Sequence, residues 1–169
     1  MNLYDIAIIG GGAAGQMAML RGVLYHLNTV VFLGDAQSNR KSRAQWVVIV
    51  ENIPGMFDLK RPITKTTKDT LSFIEQHEDL KSHLTSHKKA VTNITKDADG
   101  FFTLQAGDES YRAKYVVLCT GTMDIQPEIQ GTIKTILPYA NKEDVMYCIR
   151  CDGHKTVGKN CAVIGHKSV

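Results

Sequence analysis

The sequence predicts an α/β fold in which a parallel sheet is joined to a small β-meander, and three observations support this. An isoleucine-rich run at residues 4–9 leads into a glycine cluster and then into helix-forming residues. A second apolar run at residues 29–33 follows within about 30 residues, the usual size of a β-α-β unit. Further along, turn residues alternate with short strand-like segments. Parallel strands with a right-handed crossover, followed by antiparallel pairing, are therefore expected.

The individual elements follow from hydrophobic periodicity and turn residues. Buried parallel strands are near-continuous apolar runs, and they are predicted at residues 4–9, 29–33, 115–119 and 160–164. Helices are predicted at residues 16–27 and 67–84, where apolar residues recur at helical spacing. The meander is predicted to have strands at residues 89–94, 100–105 and 109–112, with turns at 99–100 and 107–108. A polar loop is expected at residues 34–43.

Composition excludes several classes of protein. The chain has 169 residues and a formal net charge of +3. Its basic residues are scattered except for Arg40, Lys41 and Arg43, so no nucleic-acid partner is expected. No apolar stretch approaches the roughly 20 residues that span a bilayer, so no membrane association is expected. Asp5 stands where a signal peptide would be apolar, and a cytoplasmic location is therefore predicted.

The glycine cluster matches the dinucleotide-binding pattern G-x-G-x-x-G. It comprises Gly10, Gly11, Gly12, Ala13, Ala14 and Gly15. Gly10 permits a tight turn, Gly12 lets the backbone approach a pyrophosphate, and Gly15 lets the helix pack on the strand. The acid expected about 20 residues on is Asp35, although Gly34 occupies the usual position of that acid. The alternative is a glycine-rich turn that packs a helix and binds no ligand.

The four cysteines fall into two pairs of different character. Cys119 and Cys161 lie in apolar runs, where a cysteine is usually a small buried hydrophobe. Cys148 and Cys151 have polar neighbours and a spacing that can close a small disulfide ring. Half of a zinc site and an inert buried pair are the alternatives for these two. The zinc alternative requires a second ligand pair that the sequence supplies poorly, and no metal is predicted.

Two neighbours of the second pair favour redox chemistry. A positive charge such as that of Arg150 lowers a thiol pKa and promotes the thiolate nucleophile. Asp152 directly follows the second cysteine and could carry the proton that disulfide reduction requires. The segment therefore predicts a dithiol that cycles between oxidised and reduced forms.

Together these motifs resemble the low-molecular-weight thioredoxin reductases, which are FAD-dependent pyridine nucleotide-disulfide oxidoreductases. The resemblance is carried by Cys-x-x-Cys-Asp-Gly at residues 148–153, by Glu-Asn-Ile-Pro-Gly at 51–55, and by a strand that ends in Thr120-Gly121. It implies a Rossmann-like FAD-binding domain at residues 1–124. The start of a redox and nicotinamide-type domain would then occupy residues 125–169, with the boundary near 122–128.

The resemblance also implies roles for individual residues. Cys148 and Cys151 would be the redox pair, and Asp152 the acid–base residue. The glycine turn would hold the FAD phosphates, on which Thr120 and Gly121 would close, and Asn52 would contact the flavin. The implied substrate is a thioredoxin-like protein or a small disulfide, and the implied assembly is a homodimer. The alternative is a non-catalytic, flavin- or nucleotide-binding redox sensor.

The sequence departs from the family at two places. Residues 39–43 replace the family's Gly-Gly-Gln loop, and Lys167 replaces the glycine that lets NADPH approach the second nucleotide motif. The electron donor is therefore left open between NADPH and another reductant. Because the second strand–glycine start at residues 162–165 has no following helix, the chain is expected to be the front part of a longer protein. Alone, it is expected to hold FAD weakly or not at all and not to turn over with NADPH.

Overall fold

The computed structural model describes residues 2–35, 47–122 and 126–165. The strands of the described part are β1 (Leu3–Ile9), β2 (Thr29–Phe32), β3 (Leu84–His87), β4 (Asn93–Lys96), β5 (Phe102–Ala106) and β6 (Glu109–Leu118). Its helices are α1 (Ala13–Leu24), α2 (Pro62–Glu75), α3 (Glu78–Lys81), α4 (Leu137–Asn141) and α5 (Ile149–Asp152), followed by a 3₁₀ turn at Gly153–Thr156.

The strands form one six-stranded mixed sheet in the order β3-β2-β1-β6-β5-β4. β1 pairs in parallel with both β2 and β6, and β2 pairs in parallel with β3. β4, β5 and β6 pair antiparallel as the meander. The predicted α/β architecture, with its parallel sheet and β-meander, is confirmed.

Both faces of the parallel strands are covered, which explains their near-continuous apolar sequences. On one face, Met19 and Val23 of α1 pack with Ile74 of α2 against the sheet. On the other face, residues of the meander pack over β2, where Phe32 meets Tyr111 edge to face at 5.0 Å between ring centroids. The core of this unit therefore lies on both sides of β1 and β2.

α1 begins three residues earlier and ends three residues earlier than the sequence predicts. Gly12 is its N-cap, and Tyr25 is its C-cap with an N–H that donates to the Arg21 carbonyl. The chain then turns through His26, which has a φ of +54°. A helix cannot continue through a left-handed residue, so the predicted helical residues 25–27 form this turn instead.

The predicted helix at residues 67–84 is wrong in its extent. α2 starts at Pro62, where the missing N–H of proline costs nothing, and α3 follows after a short break. Leu84 does not end a helix but starts β3, which pairs with β2 from Thr29↔Leu84 to Phe32↔His87. Residues 84–87 show only a weak alternation of apolar and polar side chains. Their strand conformation therefore depends on pairing with β2.

The two strands predicted at residues 109–112 and 115–119 are one continuous strand, β6. Ala113 pairs with Phe102 of β5 and also with Tyr4 of β1, so β6 joins the meander to the parallel sheet. The burial predicted for residues 115–119 is wrong in part, because Tyr115 is 70% exposed and Leu118 is 66% exposed. The first meander strand also starts later than predicted, at Asn93.

The strand predicted at residues 160–164 is not formed. These residues have no regular structure and are exposed, with Val163 at 98%. An extended segment needs a paired neighbour to satisfy its backbone and an apolar surface to cover its side chains. Within the part of the chain that the structure describes, residues 160–164 pair with no strand, and no apolar surface covers their side chains.

The chain divides into two compact units. The first comprises Met1–Ile49 and Asp58–Met123, and the second comprises Val50–Phe57 and Asp124–Val169. The predicted boundary between residues 124 and 125 adjoins residues that are not described, and it stays a prediction. The basic cluster at Arg40, Lys41 and Arg43, most of the loop at 34–43, and Lys167 also lie outside the described residues. Among the described helices, none is both long and apolar enough to cross a membrane.

Candidate functional site

The glycine turn lies in the first unit, at the point where the strand order reverses. β1 is flanked by β2 on one side and by β6 on the other. Gly10 N–H donates to the Phe32 carbonyl of β2 at 2.9 Å, and Cys119 N–H donates to the Ile9 carbonyl at 2.8 Å. The turn is thereby tied to both neighbouring strands. In open α/β sheets, ligands bind in the crevice outside the carboxyl ends of the strands at this position.

Two glycines of the turn are required by backbone packing. Gly10 has a φ of +113°, and a Cβ there would lie 2.1 Å from the Cys119 carbonyl oxygen. A Cβ at Gly15 would lie 1.8 Å from the Gly10 carbonyl oxygen. Because backbone atoms occupy both spaces, no side chain fits at either position. These two residues let the chain turn sharply and let α1 pack closely against β1 and β6.

Gly12 has a different environment from these two glycines. A Cβ there would have no neighbour within 4 Å among the described atoms. Gly12 is also the N-cap of α1, without a side-chain cap, and the first N–H groups of a helix have no partner inside the helix. The next two residues, Ala13 and Ala14, carry only methyl groups and are exposed. This open space beside unpaired donors fits the pyrophosphate of a dinucleotide such as FAD.

The other predicted phosphate-side residues lie at the same edge of the sheet. Thr120 and Gly121 follow β6 after Cys119, and both are exposed. The preceding Cys119 carbonyl lies against Gly10, so this strand end adjoins the glycine turn. Asp35 is exposed just past the end of β2, after Gly34 with its φ of +83°. The structure therefore gathers the predicted residues of the first unit at the carboxyl ends of β1, β2 and β6.

Sequence reasoning missed Gln16, a polar residue on the buried side of α1. Its exposure is 7%, and its Nε2 donates to the Gly11 carbonyl at 3.0 Å. The same atom donates to the Thr67 hydroxyl of α2. The available signal was a glutamine between Gly15 and Met19, where helical spacing predicts an apolar residue.

The dithiol segment lies in the second unit. Cys148 is the N-cap of α5, and its carbonyl accepts the N–H of Cys151 at 3.1 Å and that of Asp152 at 3.0 Å. Both cysteines are half-buried. The cysteines are therefore three residues apart around one helical turn, which brings the two side chains to the same face. Asp152 follows on that turn.

Sequence reasoning also missed Lys155, which gathers three carboxylates around this turn. Its Nζ lies 2.9 Å from Glu51 Oε2, 2.9 Å from Glu143 Oε2 and 3.8 Å from Asp152 Oδ1. Burial by itself lowers the pKa of Lys155, but the hydrogen bonds to Glu51 and Glu143 outweigh it and raise the pKa. The hydrogen bond from Lys155 lowers the pKa of Glu51. The lysine therefore stays charged.

This contact links two distant parts of the chain within the second unit. Glu51 begins the Glu-Asn-Ile-Pro-Gly segment, in which Gly55 has a φ of +82° and the Met56 N–H donates to the Ile53 carbonyl at 3.2 Å. Asn52, the predicted flavin contact, therefore belongs to the same unit as the two cysteines. The signal for this link was weak, because a lone lysine and a lone glutamate are common surface residues.

The remaining cysteines differ from each other. Cys119 is half-buried, and burial raises the pKa of its thiol, which favours the unreactive form. Cys161 is exposed, so its predicted burial is wrong, because the predicted strand around it is not formed. Across residues 2–35, 47–122 and 126–165, no three histidine, cysteine or acidic side chains are grouped so as to hold a metal ion.

Comparison with known proteins gives a consistent family assignment. Residues 4–165 match the family model described as pyridine nucleotide-disulphide oxidoreductase. The chain is 30% identical over 154 residues to a thioredoxin reductase of Peptoclostridium acidaminophilum, covering 89% of this chain and 43% of that protein. It is 23% identical over 168 residues to a ferredoxin–NADP reductase of Halalkalibacterium halodurans, covering 97% of this chain and 47% of that protein.

The solved structures agree on the fold. The thioredoxin reductase from Giardia duodenalis superimposes with a TM-score of 0.71 at 23% identity, covering 91% of this chain and 45% of that one. At this identity the similarity establishes the fold alone. The chain spans about half the length of the curated relatives that it matches.

Proposed function

The chain belongs to the pyridine nucleotide-disulphide oxidoreductase family, and from this we propose that it exchanges electrons between FAD and the Cys148–Cys151 pair. The family and the relatives, which include thioredoxin reductases and ferredoxin–NADP reductases, support a flavoprotein oxidoreductase. The proposal adds a disulfide substrate, in the form of a thioredoxin-like protein or a small disulfide. It also adds a homodimeric assembly, which sedimentation would test.

The observation that carries the proposal is the arrangement of the dithiol on α5. Cys148 and Cys151 share one helical turn through the Cys148 carbonyl, and Asp152 is held on the same carbonyl. A structural zinc site would need further ligands, and the described residues group none around this pair. The ferredoxin-type relatives support the flavoprotein class, whereas this pair favours a disulfide as the substrate.

The cofactor half of the proposal rests on the glycine turn of the first unit. The open side of Gly12 and the N–H groups that begin α1 would hold the FAD pyrophosphate. Bound FAD would supply the hydride-transfer chemistry that the side chains of a protein lack. Gly10 and Gly15 keep the turn close to the strands, so α1 begins at the carboxyl ends of β1 and β6.

The proposed dithiol chemistry consists of two successive steps, reduction of the pair and exchange with the substrate disulfide. Reduction of the Cys148–Cys151 disulfide takes up two electrons and two protons and yields two thiols, with Asp152 delivering a proton to the departing sulfur. One thiolate of the pair then attacks the substrate disulfide and forms a mixed disulfide. The second thiolate resolves it, so that the pair is oxidised again and the substrate leaves as two thiols.

An anaerobic single-turnover experiment tests this function. Oxidised protein is mixed with reduced FAD, and we expect the absorbance of oxidised flavin to return while two thiols appear per chain. Oxidised thioredoxin or glutathione is then added, and the new thiols should move to the substrate. Cys148→Ser and Cys151→Ser should abolish both steps, whereas the exposed Cys161→Ser serves as the matched control.

Two other outcomes have clear meanings. If the pair is reduced but passes nothing to either substrate, the chain acts as a flavin-binding redox sensor rather than as a disulfide oxidoreductase. If the pair never accepts electrons from reduced FAD in the full-length protein, the proposed function is wrong. Replacing reduced FAD by FAD with NADPH or NADH identifies the electron donor, which the sequence at Lys167 leaves open.

A further inference from the structure

We infer that Gln16 is a positioning residue that aims the Gly12 N–H at the anionic part of the bound dinucleotide; this inference rests on the proposed FAD site. Gln16 lies in the first turn of α1 and is almost entirely buried. Buried side-chain amides are normally hydrogen-bonded, because an unpaired one is costly. The partners of Gln16 therefore show what it does in the folded chain.

The hydrogen-bond network determines which way the Gln16 amide points. The Thr67 hydroxyl donates its proton to the Ile63 carbonyl at 2.7 Å, so its oxygen can only accept from Gln16. The Gly11 carbonyl is also an acceptor. Both partners therefore require a donor, and the amide nitrogen, which carries two protons, must face them.

The bond to the Gly11 carbonyl has a consequence for the next residue. In a planar trans peptide, the C=O of one residue and the N–H of the following residue point in opposite directions. Gln16 holds the Gly11 carbonyl on its own side, and the Gly12 N–H is consequently directed away from it. The Gly12 side of the turn is open, with no described atom within 4 Å of a Cβ built there.

The same network explains why Gln16 positions the turn rather than contacting the ligand. Its two amide protons are both engaged, one by Gly11 and one by Thr67. Its backbone N–H closes the first turn of α1 on the Gly12 carbonyl at 3.0 Å. Gln16 therefore holds the turn from the side opposite the open space at Gly12, and α2 supports Gln16 through Thr67. A buried network of this kind is rigid because every donor is satisfied.

The test measures ligand binding separately from stability. Gln16→Met keeps the length of the side chain and removes both donors, and Gln76→Met is the matched control on the exposed end of α2. We expect FAD to bind Gln16→Met about ten-fold more weakly, because a backbone hydrogen bond to a charged ligand is worth at least that factor. ADP, which carries the pyrophosphate, should lose affinity similarly, whereas adenosine should not.

A second pair of variants keeps the inference testable if Gln16→Met does not fold. Thr67→Val removes the hydroxyl that accepts from the Gln16 amide and should weaken FAD binding several-fold. Thr67→Ser keeps the hydroxyl and should bind FAD as tightly as the parent. Equal loss of ADP and adenosine affinity would indicate general loosening and would overturn the inference. Unchanged FAD affinity in Gln16→Met would overturn it and leave the proposed function intact. Failure of the unmodified full-length protein to bind FAD or ADP would overturn both.

Discussion

Substitution of Gly12 should change mainly ligand binding, and substitution of Gly15 should change mainly folding, although the two glycines are only one helical turn apart. A Cβ at Gly12 meets no described atom within 4 Å, whereas a Cβ at Gly15 would lie 1.8 Å from the Gly10 carbonyl oxygen. We therefore expect Gly12→Ala to fold normally and to bind FAD poorly. Gly15→Ala should be destabilised before any ligand is added.

The magnitudes follow from these environments. At Gly12, alanine is a poorer N-cap by about 1 kcal/mol, but it reduces the freedom of the unfolded chain, which stabilises by about 0.4–1 kcal/mol. The net change should be within about 0.5 kcal/mol. At Gly15, the added methyl group meets backbone that must move. Overpacking typically costs about 1–3 kcal/mol, and a contact with backbone at 1.8 Å places Gly15 at the upper end, about 3 kcal/mol. The higher helix propensity of alanine offsets only about 1 kcal/mol of this destabilisation.

Thermal unfolding of the ligand-free variants and FAD titration measure the two effects. About 1 kcal/mol corresponds to a shift in Tm of roughly 2–4 °C for a chain of this size, so Gly12→Ala should melt close to the parent and Gly15→Ala several degrees lower. FAD affinity in Gly12→Ala should fall at least about ten-fold, because the methyl group occupies the approach of the pyrophosphate. Unchanged FAD affinity would refute the assignment of this turn to the phosphates.

Three further predictions concern other parts of the chain. In air-oxidised protein, alkylation followed by mass spectrometry should find Cys148 and Cys151 blocked as a disulfide, because their shared helical turn brings the thiols together. Lys155→Met should make the segment at residues 50–57 several-fold more sensitive to proteolysis, because it removes the cation that holds Glu51. His87→Phe should raise the Tm by a few degrees, because the buried Nε2 of His87 has no partner among the described atoms and an unsatisfied buried group costs about 1–3 kcal/mol.

Each of these has a control or an outcome that would contradict it. Cys161, which is exposed, should alkylate in the same sample, and ready alkylation of the Cys148–Cys151 pair would contradict the redox assignment. Lys159→Met removes an exposed lysine of the same unit and should leave proteolysis unchanged. A lower Tm for His87→Phe would show that the ring, stacked on Phe32 and tilted against Tyr111, is needed as histidine.

Much of the first unit could be predicted because its signals are local. The apolar run that becomes β1, the glycine turn and the run that becomes β2 lie next to one another, and each has a pattern typical of one conformation. Dihedral preference is also local, so the sequence indicated that Gly10 would take a conformation that favours glycine. The observed φ of +113° agrees with that expectation.

The errors occur where distant residues decide the conformation. The predicted helix runs to Leu84, yet pairing with β2 makes Leu84 the first residue of β3. The two strands predicted at residues 109–112 and 115–119 merge, because β6 pairs with β5 over residues 109–113 and with β1 over residues 112–118. At residues 160–164 the opposite happens, since an apolar run without a paired neighbour remains exposed and irregular.

The sequence by itself determined which residue types stand at the candidate site: the glycine turn from Gly10 to Gly15, the dithiol at Cys148 and Cys151, and the acid at Asp152. Only the tertiary structure decided which side chains support them. Gln16 reaches Thr67 across 51 positions of the chain, and Lys155 reaches back to Glu51. The physical reason is that a motif is a set of short-range backbone requirements, whereas hydrogen bonds and ion pairs form between groups that only the folded core brings within 3–4 Å.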